Sequence, residues 1–119
     1  MPEPMSPVSV ETAIRQCANR IAAGVRVCSD TYKAYLDSER AYQRAYAQAY
    51  LAADGPAHER RYAAEIATGE ERYLRDECDV KYRYADRTAK AIEAELRALQ
   101  SVGASVRQAY SVAGRGEGA

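Results

Sequence analysis

A chain of 119 residues holds one domain at most, and 17 basic against 17 acidic side chains exclude a nonspecific electrostatic binder of nucleic acid or anionic membrane, which needs a clear positive excess. Alanine supplies 24 residues and tyrosine 10, with no Phe or Trp, so the apolar surface consists of small side chains and phenolic rings whose hydroxyls stay at an interface edge. Abundant Ala, Glu, Arg and Gln, with few Gly and Pro, predict an all-helical protein.

Residues 1–6 hold two prolines and an acid and read as a flexible tail, while Ser6-Pro7 reads as a helix cap followed by proline at the first helical position. From there Val10, Ile14, Cys17, Ile21, Val25, Cys28, Tyr32, Tyr35, Tyr42, Tyr46 and Ala49 recur at three- and four-residue steps, broken once where Glu39 occupies the seam. Nothing stops this helix before Asp54-Gly55-Pro56, so it is about 45 residues and roughly 65 Å long. Within it an Ala-Tyr pair repeats three times at four-residue spacing, Ala41-Tyr42, Ala45-Tyr46 and Ala49-Tyr50. On a helix these form an alanine groove beside a tyrosine ridge, a surface suited to packing against another element.

Gly55 supplies the C-cap conformation and Pro56 opens the next element, a short helix over 57–67 with an expected apolar face of Tyr62, Ala63 and Ile66. Thr68-Gly69-Glu70-Glu71 reads as a capping box for the last helix, whose seam runs Leu74, Cys78, Lys81, Ala85, Ala89, Ile92, Leu96, Leu99, Val102, Val106, Tyr110. It ends at Gly114, and the domain spans 7–112 with 113–119 as a second flexible tail. Gly103 marks a place where backbones come close.

Two long helices joined through a short third one predict a long antiparallel helical hairpin of coiled-coil type. With the tip midway between Ala53 and Glu70, facing positions sum to about 123 if both helices rise equally. That register places Cys17 near Val106, Ile21 near Val102 and Cys28 near Glu95, and pairs Glu39 with Lys81, the charged breaks of the two seams. Such a pair fixes register more than it stabilises. Because two helices bury one stripe each, the remaining alanines and tyrosines predict a homo-oligomer, most simply a dimer.

Arg15, Arg26, Lys33, Arg40 and Arg44 fall within about 40° of one another at 100° per residue, away from the apolar seam. Two readings stand side by side: a solvated face neutralised by Asp30 and Asp37, or a phosphate-contacting edge with Tyr42, Tyr46 and Tyr50 as stacking surfaces for single-stranded bases. A looser basic set, Arg83, Arg87, Lys90 and Arg97, is interleaved with acids. His58 lacks a nucleophile or ligand partner, and no phosphate-binding glycine loop, catalytic triad or paired carboxylates are visible. The sequence therefore predicts no enzyme, no cofactor, no metal and no small-molecule substrate. Cys17, Cys28 and Cys78 form no CxxC. Cys17 and Cys28 would sit roughly 16 Å apart along one helix, so the three read as small buried hydrophobes in a reducing compartment. No stretch has the roughly 20 apolar residues of a membrane span.

The segments AYQRAYAQAYLAADG (41–55), EIATGEERYLRDECDVKYRYADRT (65–88) and KAIEAELRALQSVGASVR (90–107) resemble a group of small helical-hairpin proteins of tailed bacteriophages. The resemblance rests on the repeated Ala-aromatic helix, the glycine turn, the Arg75-Asp76 pair, Tyr82 and Tyr84, and the ending Glu95-Leu96-Arg97-Ala98-Leu99-Gln100-Ser101. Members of that group tend to be encoded among replication and recombination genes. The resemblance thus implies an accessory protein of the host-cell cytoplasm that assists recombination or replication through single-stranded DNA or through a phage or host recombination protein. The zero net charge departs from a strong DNA binder. The alternative is a pure protein-protein interaction module, an adaptor or inhibitor of a host protein, that receives a partner helix in the groove.

Overall fold

A computed structural model describes residues 6–117, with side chains for 6–114. The chain is all-α, an antiparallel hairpin of two long helices joined through a short one: α1 (Pro7–Ala52), α2 (Ala57–Ala67) and α3 (Gly69–Glu117). The expected N-terminal tail and Gly118-Ala119 lie outside the described residues, and α3 continues past Gly114 to Glu117. At the start of α1, Ser9 N–H donates to Ser6 Oγ at 3.2 Å and Ser6 N–H donates to Ser9 Oγ at 2.9 Å. This is a reciprocal cap built from two serines.

The chain forms two compact units, one of residues through Val25 with those from Arg87 onward, the other Arg26–Asp86. In the first, Val10, Cys17, Ile92 and Gly103 are buried, with Ile14, Ile21, Gly24, Leu96, Leu99 and Val106 half-buried. A Cβ at Gly103 would lie 3.0 Å from Val10 Cγ1 and 3.7 Å from Ile14 Cδ1, so glycine is what lets the two backbones approach there. Arg20 and Glu95 close the edge of the same unit with an ion pair at 3.0 Å.

In the second unit the inward residues of α1 are Cys28, Thr31, Tyr35, Ser38, Tyr42, Ala45 and Ala49, alternating three and four apart without a break. Ser38 occupies the seam, and Glu39 is the half-buried residue beside it. The two hydroxyls are satisfied within their own helix: Thr31 Oγ1 donates to Val27 O at 2.7 Å and Ser38 Oγ donates to Tyr35 O at 2.7 Å. On the returning arm Arg60, Ala64, Thr68, Glu71, Arg75, Cys78, Tyr82 and Ala85 are turned inward, again at three- and four-residue steps. This pattern runs through the α2–α3 junction in phase, so α2 serves as the first turns of the returning arm.

That continuity corrects four expectations. The inward apolar residue of α2 is Ala64, whereas Tyr62, Ala63 and Ile66 point outward, because the seam of α3 dictates the phase of α2. Thr68 does not cap α3. Its Oγ1 donates backward to Ala64 O at 2.7 Å and its carbonyl accepts from Arg72 N–H at 3.0 Å, so the hydrogen bonds of α2 and α3 meet at this one residue. The register moves by about two turns, because the fold-back sits at Asp54-Gly55-Pro56 instead of the middle of 53–70. Gly103, beside the Val102 expected against Ile21, packs on Val10 and Ile14, and Tyr82 packs on Tyr32 with ring centroids 5.0 Å apart. The Glu39–Lys81 pair does not form in this register. Lys81 Nζ lies 3.6 Å from Glu77 Oε1, one turn back on its own helix.

Gly55 holds φ at 101°, and a Cβ there would lie 2.6 Å from Glu59 Oε2. Gly55→Ala is expected to cost about 1–2 kcal/mol through the left-handed backbone alone. Thermal denaturation followed by circular dichroism checks this, and an unchanged midpoint would show that the turn does not depend on glycine.

Candidate functional site

The expected basic row lies on the outside of α1. Arg15, Arg26, Lys33, Arg40 and Arg44 are all exposed, and within the second unit Arg26, Lys33 and Arg40 recur every seven residues at the position farthest from the seam. Asp30 sits 3.9 Å from Arg26, and Asp37 sits 4.0 Å from Lys33 and 3.7 Å from Arg40. The row therefore carries its own counter-charges, through exposed pairs of small individual value.

The Ala-Tyr repeat divides between two roles. Ala45 and Ala49 are half-buried in the seam, so they do not form a free groove, and of the three alanines only Ala41 is exposed. The tyrosines run as a ladder along α1, Tyr42 to Tyr46 at 6.2 Å and Tyr46 to Tyr50 at 6.5 Å between centroids. Arg75 covers the Tyr42 ring at 4.6 Å. A half-buried ring already capped by a guanidinium is a packing element of the tip, and offers little face for a base to stack on.

Charged groups enter the interior near the same end. Arg60 Nε and Glu71 Oε2 are sealed from solvent without a hydrogen-bond partner, which makes the tip of the seam the polar end of this unit. On the outside of α3, Arg83 is held above the usual guanidinium range by its 2.9 Å hydrogen bond to Asp79 and by the charge of that carboxylate. His58 is exposed, and the three cysteines are free. Among the described residues no His, Cys, Asp or Glu side chains group to hold a metal ion, and no helix is long and apolar enough to cross a membrane.

One surface was missed by reading the seam from hydrophobicity. Tyr62, Ile66, Tyr73, Val80 and Tyr84 are all exposed on the outer face of α2 and α3, with Ile66 at 83% and Tyr73 at 71%. Tyr73 and Val80, with Asp76 and Glu77, line a shallow depression. The signal was present in the sequence, since Ile66, Tyr73 and Val80 are spaced by seven and form a second heptad row on the side of the helix opposite the seam. Unit 2 therefore has two unlike outer faces, a self-neutralised charged one on α1 and an apolar one on α2 and α3. No protein-family model, curated protein or solved structure matches the chain.

Proposed function

We propose that the chain is a non-enzymatic helical interaction module that works by binding protein through the outer face of α2 and α3. The observation that carries this reading is the row Tyr62, Ile66, Tyr73, Val80 and Tyr84. Five large apolar side chains in one exposed row are what a protein interface uses and what a solitary helical hairpin has no reason to keep in water. In the phage setting that the resemblance implies, the module serves a recombination or replication protein of phage or host. A tagged wild-type chain should retain a protein, another copy or a different one, that Tyr73→Lys with Val80→Lys releases while the helical circular dichroism stays the same. Equal retention by both chains, or by neither, overturns the reading.

Single-stranded DNA is the second reading, supported by the exposed row Arg26, Lys33 and Arg40. With Asp30 and Asp37 neutralising that row, a labelled single-stranded oligonucleotide is expected to bind weakly or not at all at low salt. Salt-sensitive binding that Arg40→Glu with Arg44→Glu abolishes, with the fold intact, would establish the DNA reading.

A further inference from the structure

The outer apolar row is symmetric about its middle member. Tyr62 and Tyr84 each lie eleven residues from Tyr73, and Ile66 and Val80 each lie seven from it. At 100° per residue the five fall within about 40° of one another along roughly 33 Å of helix. The α2–α3 junction preserves this alignment, because the inward residues Arg60, Ala64 and Thr68 stay in step with Glu71, Arg75 and Cys78 across it. A row with this property is complementary to itself when a second row is laid against it in the opposite direction.

From this, and resting on the interaction-module reading, we propose that the occupant of the row is a second copy of this chain, packed antiparallel with its two-fold axis at Tyr73. A two-fold contact pairs each residue with a fixed counterpart on the other copy. Here Tyr73 meets its own equivalent, Ile66 meets Val80 and Tyr62 meets Tyr84, so each large apolar side chain finds another. The same rotation sets Glu65 of one copy against Arg83 of the other, on the same side of the row, an opposite-charge pair that occurs twice. In the single chain Arg83 is held by the exposed contact with Asp79 at 2.9 Å, which it can share. One juxtaposition opposes association: Glu70 of one copy faces Glu77 of the other. Glu77 already takes Lys81 at 3.6 Å, which offsets that repulsion. Covering the five side chains on both copies removes roughly 1,200 Å² from water, the lower end of what specific association requires. The charged faces of α1 stay outward in such a dimer, since they lie on the far side of each seam.

Sedimentation velocity on the full chain, from low to high micromolar concentration, tests this. The wild type should dimerise, and Tyr73→Lys should weaken the dimer by about tenfold or more, as expected for an aromatic at the centre of an interface. Glu65→Lys should weaken it about five- to tenfold, because the pair occurs twice, and adding Arg83→Glu to Glu65→Lys should restore it. Circular dichroism on each variant separates loss of association from loss of fold, and the restored double variant shows that both positions tolerate exchange. A monomer throughout the range overturns the proposal, as does a dimer indifferent to Tyr73→Lys, which must use another face. A dimer that Tyr73→Lys weakens but that the charge exchange fails to restore overturns the antiparallel register. If the wild type is monomeric and still retains a protein that Tyr73→Lys with Val80→Lys releases, the module reading stands and the second copy is the wrong occupant. If it retains none, both fall.

Discussion

Ala64→Glu is expected to destabilise the protein by at least about 3 kcal/mol, the cost of burying a carboxylate that has no partner. Ala64 is 0% exposed, on the inward face of α2, and its carbonyl already accepts from both the backbone N–H and the hydroxyl of Thr68. A longer side chain has no room there, and a charged one has no water. Ile66→Glu, two residues on, is expected to change the stability of the dilute protomer by less than about 0.5 kcal/mol, because Ile66 is 83% exposed. Urea denaturation followed by circular dichroism at low protein concentration compares the two. Dilution matters, since a dimer using Ile66 would add its own stabilisation by mass action. The opposite ranking, with Ile66→Glu the damaging change, would return Tyr62, Ala63 and Ile66 to the inside of α2.

The helices themselves were legible because their ends are written in residues with few alternatives. Ser6-Pro7 can start a helix and does, and Gly55 with Pro56 must stop one. The inward face was only half legible. Val10, Ile14, Cys17 and Ile21 lie where hydrophobicity puts them, but farther along the seam takes Gly24, Thr31 and Ala45, next to the larger Val25, Tyr32 and Tyr46. Two helices that come close select for small side chains at the contact, and a ranking by hydrophobicity moves the seam one residue over. The same preference hid the outer row, since Tyr62 and Ile66 looked like the natural interior of α2. Register failed for a different reason. Whether α2 belongs to the turn or to the returning arm depends on the conformation at Thr68, and a threonine followed by glycine and two glutamates suits a new cap as well as it suits continuation.

Ser38 tests the small-residue seam directly. It is 6% exposed, and its hydroxyl donates at 2.7 Å to Tyr35 O in its own helix. The residue therefore contributes size more than polarity to the contact. Ser38→Ala is expected to leave stability within about 0.5 kcal/mol or raise it slightly, because the local hydrogen bond competes with the helix's own bonding and alanine is the better helix former. Ser38→Leu is expected to cost about 1–3 kcal/mol by overpacking, even though it adds apolar surface at a heptad position. Glu39→Leu, which would repair the break that hydrophobicity suggests, should gain little, since Glu39 stands beside the seam and not in it. Chemical denaturation of the three variants gives the decisive order. If Ser38→Leu stabilises, the helices have room to spare at this level, and the small residues at 31, 38 and 45 then have no packing reason to be there.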